Sequence, residues 1–185
     1  MKPNIFIFHG TEGYPEENWF PWLKKKLEEK GYKVAVPQFP TPEGQSLQAW
    51  LDVFKNYESE MTEDSVFVGH SLGGVFLLRL LERFKKPVKA AFFTGTPIGI
   101  QPLKNYESDS RFSGFDWNWP VIRKNAKHFD VFQSDDDIWV PLANGEQLAK
   151  ELGVELTFIP NAGHFNKAAG YTEFPALLEK MEKVL

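Results

Sequence analysis

The sequence contains no cysteine. Disulfide bonds, thiolate nucleophiles and cysteine metal sites are therefore excluded together. It also has no run of about 18 apolar residues, so we expect no membrane-spanning helix. The first apolar stretch, Ile5–Phe8, is shorter than the roughly 7–15 residues of a signal-peptide core. We therefore expect a cytoplasmic protein that carries no secretion signal.

The chain also has no surplus of positive charge. The chain has 21 Lys and Arg against 25 Asp and Glu, which gives a net charge of −4. Nucleic-acid-binding proteins normally have a basic surplus, so this class is disfavoured. With 185 residues, 42% of them hydrophobic and 25% charged, the chain has the size and composition of one globular domain. We expect a single domain over residues 1–185.

Short apolar segments alternate with segments of helical period along the whole chain. The apolar runs predict strands that are buried on both faces, as in a parallel sheet. Helical spacing of apolar residues begins near Leu47 and Phe174, and Leu72–Phe84 is apolar almost all round. The predicted strands are Ile5–Phe8, Lys33–Pro37, Ser65–Gly69, Val88–Thr94, Phe129–Phe132 and Val154–Ile159. This order predicts an α/β fold with about six parallel strands and helices on both faces.

One segment, Pro97–Asn118, has no clear period. It is long and mixed, with Phe112, Phe115 and Trp117 among polar residues. A connection of this length in a compact domain is either functional or flexible. Whether it acts as a lid over a site stays open at this point.

The residues Gly69-His-Ser-Leu-Gly73 have the pattern G-x-S-x-G. A β-branched and aromatic strand precedes the pattern and an apolar helix follows it, which is the context that a nucleophile elbow requires. Small residues two positions on either side allow the tight, strained turn that exposes the serine. Ser71 is therefore the candidate nucleophile. The alternative is a glycine-rich connection without chemistry.

A serine hydroxyl needs a base, and the chain has four histidines. His9 ends the first predicted strand, His70 lies inside the elbow, and His128 precedes a strand. His164 lies in the turn-like segment Pro160–Phe165, directly after the last predicted strand. Catalytic groups of open α/β sheets gather in loops at the carboxyl ends of strands. His164 is therefore the candidate base.

The third catalytic group is a carboxylate that orients the imidazole. Asp135, Asp136 and Asp137 follow the fifth predicted strand. Adjacent carboxylates repel one another and are costly to bury, so two of the three are expected to form turns or cap a helix. The residue types alone leave the choice open. The order serine, acid, histidine is that of the α/β-hydrolases.

Together with other stretches of the chain, these motifs resemble those of a known family. The chain resembles the small YdeN-like serine hydrolases, relatives of the retinoblastoma-binding serine hydrolase, within the α/β-hydrolases. The matching stretches are His9-Gly10, Asn18–Lys26, Gly69–Gly73, Ser134–Pro141 and Gly163–Phe165. They are spread over almost the whole chain. The resemblance implies a small α/β-hydrolase that lacks the first strand pair of larger members and has no separate cap domain.

The resemblance also implies which acid completes the triad. In that family the acid stands three residues before a Val or Leu that is followed by proline. Asp137 has this position, since Val140 and Pro141 follow it. The elbow places one oxyanion-hole donor at the N–H of Leu72. Resemblance to His-Gly-x loops implies that the N–H of Thr11 is the second donor, although an ordinary turn at the strand end is the alternative.

Three tryptophans lie near the candidate site residues in the sequence. Trp139 follows Asp137 by two residues, and Trp117 and Trp119 lie in or beside Pro97–Asn118. We consider all three as walls of an apolar pocket. Packing in the core is the alternative.

The sequence thus predicts a serine hydrolase that works through an acyl-enzyme, without a metal or an organic cofactor. Because a short chain without a cap leaves an open site, we expect a small-molecule substrate, a carboxylic ester with a small or medium acyl group. Amides, peptides and thioesters are alternatives, because the same triad serves them all. A protein-interaction module with an idle triad, which would bind a protein partner, is an alternative of another class.

Overall fold

A computed structural model describes residues 3–185. Its centre is one sheet of six parallel strands in the order β2-β1-β3-β4-β5-β6. The strands are β1 (Asn4–Phe8), β2 (Lys33–Ala35), β3 (Val66–His70), β4 (Ala90–Thr94), β5 (Phe129–Gln133) and β6 (Leu156–Phe158). The helices are α1 (Phe20–Glu29), α2 (Leu47–Phe54), α3 (Leu72–Leu81), α4 (Tyr106–Ser113), α5 (Trp119–Lys124), α6 (Leu142–Leu152) and α7 (Pro175–Glu182).

The strands bury both of their faces. In β1, Phe6 and Phe8 belong to one apolar cluster, and Ile5 and Ile7 belong to the other. This follows from the two-residue period of a strand. Helices α2 to α6 contribute buried side chains to the first cluster, whereas α1 and α7 contribute to the second. The predicted six-stranded parallel sheet with helices on both faces is therefore confirmed.

The boundaries differ from the predictions by a few residues. The second and sixth strands are shorter than predicted, and α3 ends at Leu81 rather than at Phe84. The unassigned segment Pro97–Asn118 contains a helix, α4. Only Asp109 and Phe112 are buried in α4, so it lacks the apolar repeat by which a helix is recognised in a sequence. Among residues 3–185, no helix has the length and apolar character needed to cross a membrane.

The direction of the strands determines where the candidate residues gather. Because all six strands are parallel, their carboxyl ends meet at one edge of the sheet. Ser71 directly follows β3, and the loops after β5 and β6 carry Asp137 and His164. The loop after β1 brings Gly10 and Thr11 to the same edge.

Candidate active site

Ser71 lies in the turn between β3 and α3, with φ 54° and ψ −124°. A non-glycine residue in this region of backbone space is strained, at a cost on the order of 1–3 kcal/mol. The close approach of the neighbouring backbone explains the flanking glycines. A Cβ atom on Gly69 would lie 2.5 Å from the Cα of Gly74, and one on Gly73 would lie 2.3 Å from the carbonyl oxygen of Phe8. The turn is thus possible only with glycine at both positions.

His164 and Asp137 form a buried pair at the same edge. The imidazole Nδ1 lies 2.7 Å from Oδ2 of Asp137. The Asp137 side chain is fully buried, and 9% of the His164 side chain is exposed. Because a carboxylate only accepts hydrogen bonds, Nδ1 carries the proton and Nε2 is the ring nitrogen that is free to accept one. His164 and Ser71 both line one cavity.

The carboxylate of Asp137 is held by further donors. Its Oδ1 accepts hydrogen bonds from the backbone N–H groups of Trp139, at 2.8 Å, and Val140, at 3.0 Å. Its Oδ2 accepts a bond from Nε2 of Gln133 at 3.3 Å. The two neighbouring acids do not bond to the imidazole, since the Oδ1 atoms of Asp135 and Asp136 accept backbone N–H groups of the histidine loop. Neither caps a helix.

The other three histidines have different surroundings. The ring of His70 packs beside that of His164, and its Nε2 donates to the His164 carbonyl at 2.8 Å. Burial, together with the nearby His164, lowers the pKa of His70 to about 3. His9 is also fully buried, and burial lowers its pKa. His128 pairs with Asp130 at 2.9 Å.

The two predicted oxyanion donors lie close to the nucleophile. Leu72 is the first residue of α3, so its N–H has no carbonyl within the helix to bind. Gly10 packs directly on Ser71, because a Cβ there would lie 2.8 Å from the serine Cβ. The next residue, Thr11, lines the cavity beside Ser71.

The cavity has a volume of about 1160 Å³, and most of the residues that line it have polar or charged side chains. Acidic and basic side chains share the lining: Glu12, Glu17, Asp109, Lys104 and Arg111. Of the three predicted wall tryptophans, only Trp139 lines it, with Nζ of Lys104 at 3.8 Å from the ring centroid. Trp117 and Trp119 do not line it. They pack against the core, and Trp117 lies under the Arg79 guanidinium.

Two carboxyl groups in this cavity titrate unusually. Burial raises the pKa of Glu17 to about 7. Burial likewise raises the pKa of Asp109 to about 6, although a bond from Ser108 and the nearby His164 oppose the shift. The wall of the cavity therefore changes its charge between about pH 6 and pH 7. Among residues 3–185, no cluster of three His, Asp or Glu side chains is arranged to hold a metal ion.

A family model described as "Serine hydrolase" matches residues 5–183. The chain belongs to this serine hydrolase family. The YdeN protein of Bacillus subtilis is 28% identical over 179 residues, which cover 97% of this chain and 94% of YdeN. Serine hydrolase RBBP9 of Rattus norvegicus is 27% identical over 185 residues, which cover 100% of this chain and 95% of RBBP9.

The crystal structure of the ydeN gene product of B. subtilis matches this chain with a TM-score of 0.92 at 27% identity. The match covers 99% of this chain and 98% of the other. This serine hydrolase therefore has an α/β-hydrolase fold, as the sequence resemblance implied.

Sequence reasoning missed two residues of this serine hydrolase that hold the histidine and aspartate. Gln133 is fully buried at the end of β5 and donates from Nε2 to Asp137 and, at 2.8 Å, to the carbonyl of Val140. Gly95 follows β4 with φ 55°, and a Cβ there would lie 3.1 Å from Nδ1 of His164. The only sequence signals of these roles are that a polar residue ends one apolar strand and that a glycine directly follows another.

Proposed function

We propose that this serine hydrolase cleaves carboxylic esters with Ser71 as nucleophile, His164 as base and Asp137 as the acid that orients the imidazole. One observation carries the proposal. The serine with the strained backbone lines the same cavity as His164, whose imidazole is paired with the buried Asp137 behind it, at the carboxyl edge of the sheet. Membership of the serine hydrolase family supports it.

In the acylation step, Oγ of Ser71 attacks the ester carbonyl carbon while Nε2 of His164 takes the hydroxyl proton. The Asp137 carboxylate stabilises the imidazolium that forms. Negative charge develops on the carbonyl oxygen, and the N–H groups of Leu72 and Thr11 donate to it. The imidazolium then protonates the departing alcohol, which leaves Ser71 acylated.

In the deacylation step, His164 takes a proton from a water molecule that attacks the acyl carbonyl. The same N–H groups stabilise the second oxyanion. Collapse of this intermediate returns the proton to Ser71 and releases the carboxylic acid. The cycle uses only side chains and backbone groups of this chain and water.

The cavity walls favour a small or medium acyl group. Burial of an alkyl chain stabilises a complex mainly where the walls are apolar, at about 25 cal/mol per Å² of apolar surface. Apart from Trp139 and Val140, large apolar side chains are rare in this cavity. A long fatty acyl chain would therefore gain little from binding here.

Covalent labelling with a fluorophosphonate probe, read by intact mass, tests the nucleophile. We expect the parent protein to gain one probe and the Ser71→Ala variant to gain none. Hydrolysis of p-nitrophenyl esters should fall by roughly 10⁴-fold or more in Ser71→Ala. Ser59→Ala, at an exposed serine that precedes β3 rather than following it, is the matched control and should label like the parent.

The same assay decides between the ester, the other acyl bonds and an idle triad. Hydrolysis of esters from acetate to octanoate is compared with that of a matched anilide and a thioester, and short esters should react fastest. An unlabelled parent would leave the triad idle and overturn the proposal. Preference for the anilide would overturn the ester assignment alone.

A further inference from the structure

Four consecutive residues after β5 contact four consecutive residues of the histidine loop. Beside the bond from His164 to Asp137, three backbone N–H groups of the loop donate to three side chains. The bonds are Asn161 N–H to Oδ1 of Asp135 at 2.8 Å, Ala162 N–H to Oγ of Ser134 at 2.9 Å, and Gly163 N–H to Oδ1 of Asp136 at 2.7 Å. We call these three side chains the backbone clamp: Ser134, Asp135 and Asp136.

The backbone of the loop is shaped for this contact. Asn161 and Gly163 have left-handed backbones, with φ 54° and 52°, and Ala162 between them does not. Alternation of this kind turns successive N–H groups to one side, which makes a concave site for negatively charged oxygens. The clamp fills that site with two carboxylates and a hydroxyl. Within the clamp, Oγ of Ser134 donates to Oδ1 of Asp136 at 2.6 Å.

The clamp is needed because β6 ends before the loop. The ladder between β5 and β6 continues to the N–H of Ile159, which donates to the carbonyl of Gln133. On the other side of His164, the carbonyls of His164 and Phe165 accept bonds from His70 and from Nε1 of Trp19. The clamp holds the backbone of residues 161–163, which directly precede His164.

We propose that Ser134, Asp135 and Asp136 are positioning residues, which hold the backbone of residues 161–163 so that the His164 imidazole meets both Asp137 and Ser71. The inference rests on the proposed function, since it assigns a role in the same triad. The hydrogen bonds from Ser134 and from the Gly163 N–H also hold the pKa of Asp136 below its usual range, which favours the charged form of this carboxyl group.

The test compares Asp136→Ala with Asp136→Asn. The side chain of Asp136 is exposed, so both variants should fold. In Asp136→Ala the N–H of Gly163 loses its acceptor, and we expect kcat to fall by roughly 10–100-fold with KM unchanged, because small displacements of a catalytic group are costly. In Asp136→Asn the amide oxygen accepts the same bond, and kcat should stay within about tenfold of the parent.

Two further measurements complete the design. Asp64→Ala makes the same change at an exposed aspartate beyond the opposite edge of the sheet, before β3, and should match the parent. The downfield proton NMR signal of the His164 Nδ1–H reports the bond to Asp137 without any substrate. It should weaken or shift in Asp136→Ala and return in Asp136→Asn.

The outcomes separate this inference from the proposed function. An unchanged kcat and an unchanged Nδ1 proton signal in Asp136→Ala would overturn the clamp, as would equal losses in the Ala and Asn variants. If the parent takes up no fluorophosphonate, the proposed function fails, and the NMR signal alone judges the clamp. If Asp136→Ala does not fold, Asp135→Ala repeats the test through the N–H of Asn161.

Discussion

At the scale of single residues, three successive aspartates have three different hydrogen-bond partners. Asp135 and Asp136 are exposed and bind backbone, whereas the buried Asp137 binds the imidazole. Asparagine at position 137 can present its amide nitrogen to Nδ1 and favour the wrong tautomer, so we expect Asp137→Asn to lose about 10⁴-fold in kcat. Asp135→Asn should stay within about tenfold of the parent. Steady-state kinetics with a thermal melt for each variant checks this, and a dead Asp135→Asn would show that the register of the acid is wrong.

Asp109 places a poorly paired carboxyl in the cavity wall. Its only hydrogen bond among the described residues is a 3.4 Å contact with Oγ of Ser108. Its folded pKa of about 6 exceeds the ordinary value of 3.8. The contribution that protonated Asp109 makes to stability is therefore fully present below about pH 3.8 and is lost as the pH rises through 6.

Replacing Asp109 by a residue that does not ionise removes this loss of stability at high pH. We expect Asp109→Asn to unfold like the parent at pH 3.5 and to be more stable at pH 8, by roughly 2–3 kcal/mol. Urea denaturation at both pH values measures the difference. A gain that is equal at both pH values would show that the effect does not come from titration.

At the scale of elements, one arginine on α3 binds the end of α4 and the residues that follow it. Arg79 is 8% exposed and donates to the carbonyls of Ser113 and Asp116 and to the carboxylates of Asp116 and Glu82. Trp117 stacks on its guanidinium at 4.3 Å. Lysine cannot reproduce this forked geometry.

We therefore expect Arg79→Lys to lower the free energy of unfolding by about 1–3 kcal/mol and to speed amide exchange in α4 more than in the strands. Hydrogen exchange read by mass spectrometry, together with urea denaturation, checks both. Arg83→Lys, at an exposed arginine one turn further on, is the matched control. Equal exchange in α4 of the parent and Arg79→Lys would contradict the anchoring role.

Helix α4 is an element that the sequence did not predict. Strands such as β1 and β3 were predictable because two buried faces demand continuous apolar runs. Phe112 attaches α4 to the core, with its ring centroid 4.9 Å from that of Trp50. Arg79 then binds the backbone at the end of the helix and after it. These contacts join residues distant in sequence, so no local period announces them.

At the scale of the whole molecule, the site was predictable where local sequence determines geometry. Ser71 needed only the glycines around it, and a loop after a strand marked His164. The choice of Asp137 needed the family resemblance, because three adjacent acids look alike until their partners are known. The lining of the cavity was not predictable, since residues from several loops and from α4 converge on it, whereas Trp117 packs against the core.

Two buried histidines, His9 and His70, lower the stability of the whole molecule in acid. Between about pH 6.5 and pH 3 the unfolded chain binds a proton at His70 that the folded protein excludes. The stabilising contribution of neutral His70 is therefore present above pH 6.5 and is lost as the pH falls through that window. His9, whose pKa is also lowered, acts in the same direction, whereas Asp109 acts in the opposite direction between about pH 3.8 and pH 6.

A substitution at His70 isolates the contribution of this histidine to the pH dependence of stability. Glutamine keeps a donor for the His164 carbonyl and does not titrate. In His70→Gln the fall of unfolding free energy with acid should be shallower by up to about 1.4 kcal/mol per pH unit, the value for one proton. Asp109→Asn should make the same fall steeper between pH 4 and 6, because it removes the opposing group. Urea midpoints and slopes at half-unit steps of pH test both signs, and a His70→Gln profile parallel to that of the parent would show that His70 is not the group excluded from protonation.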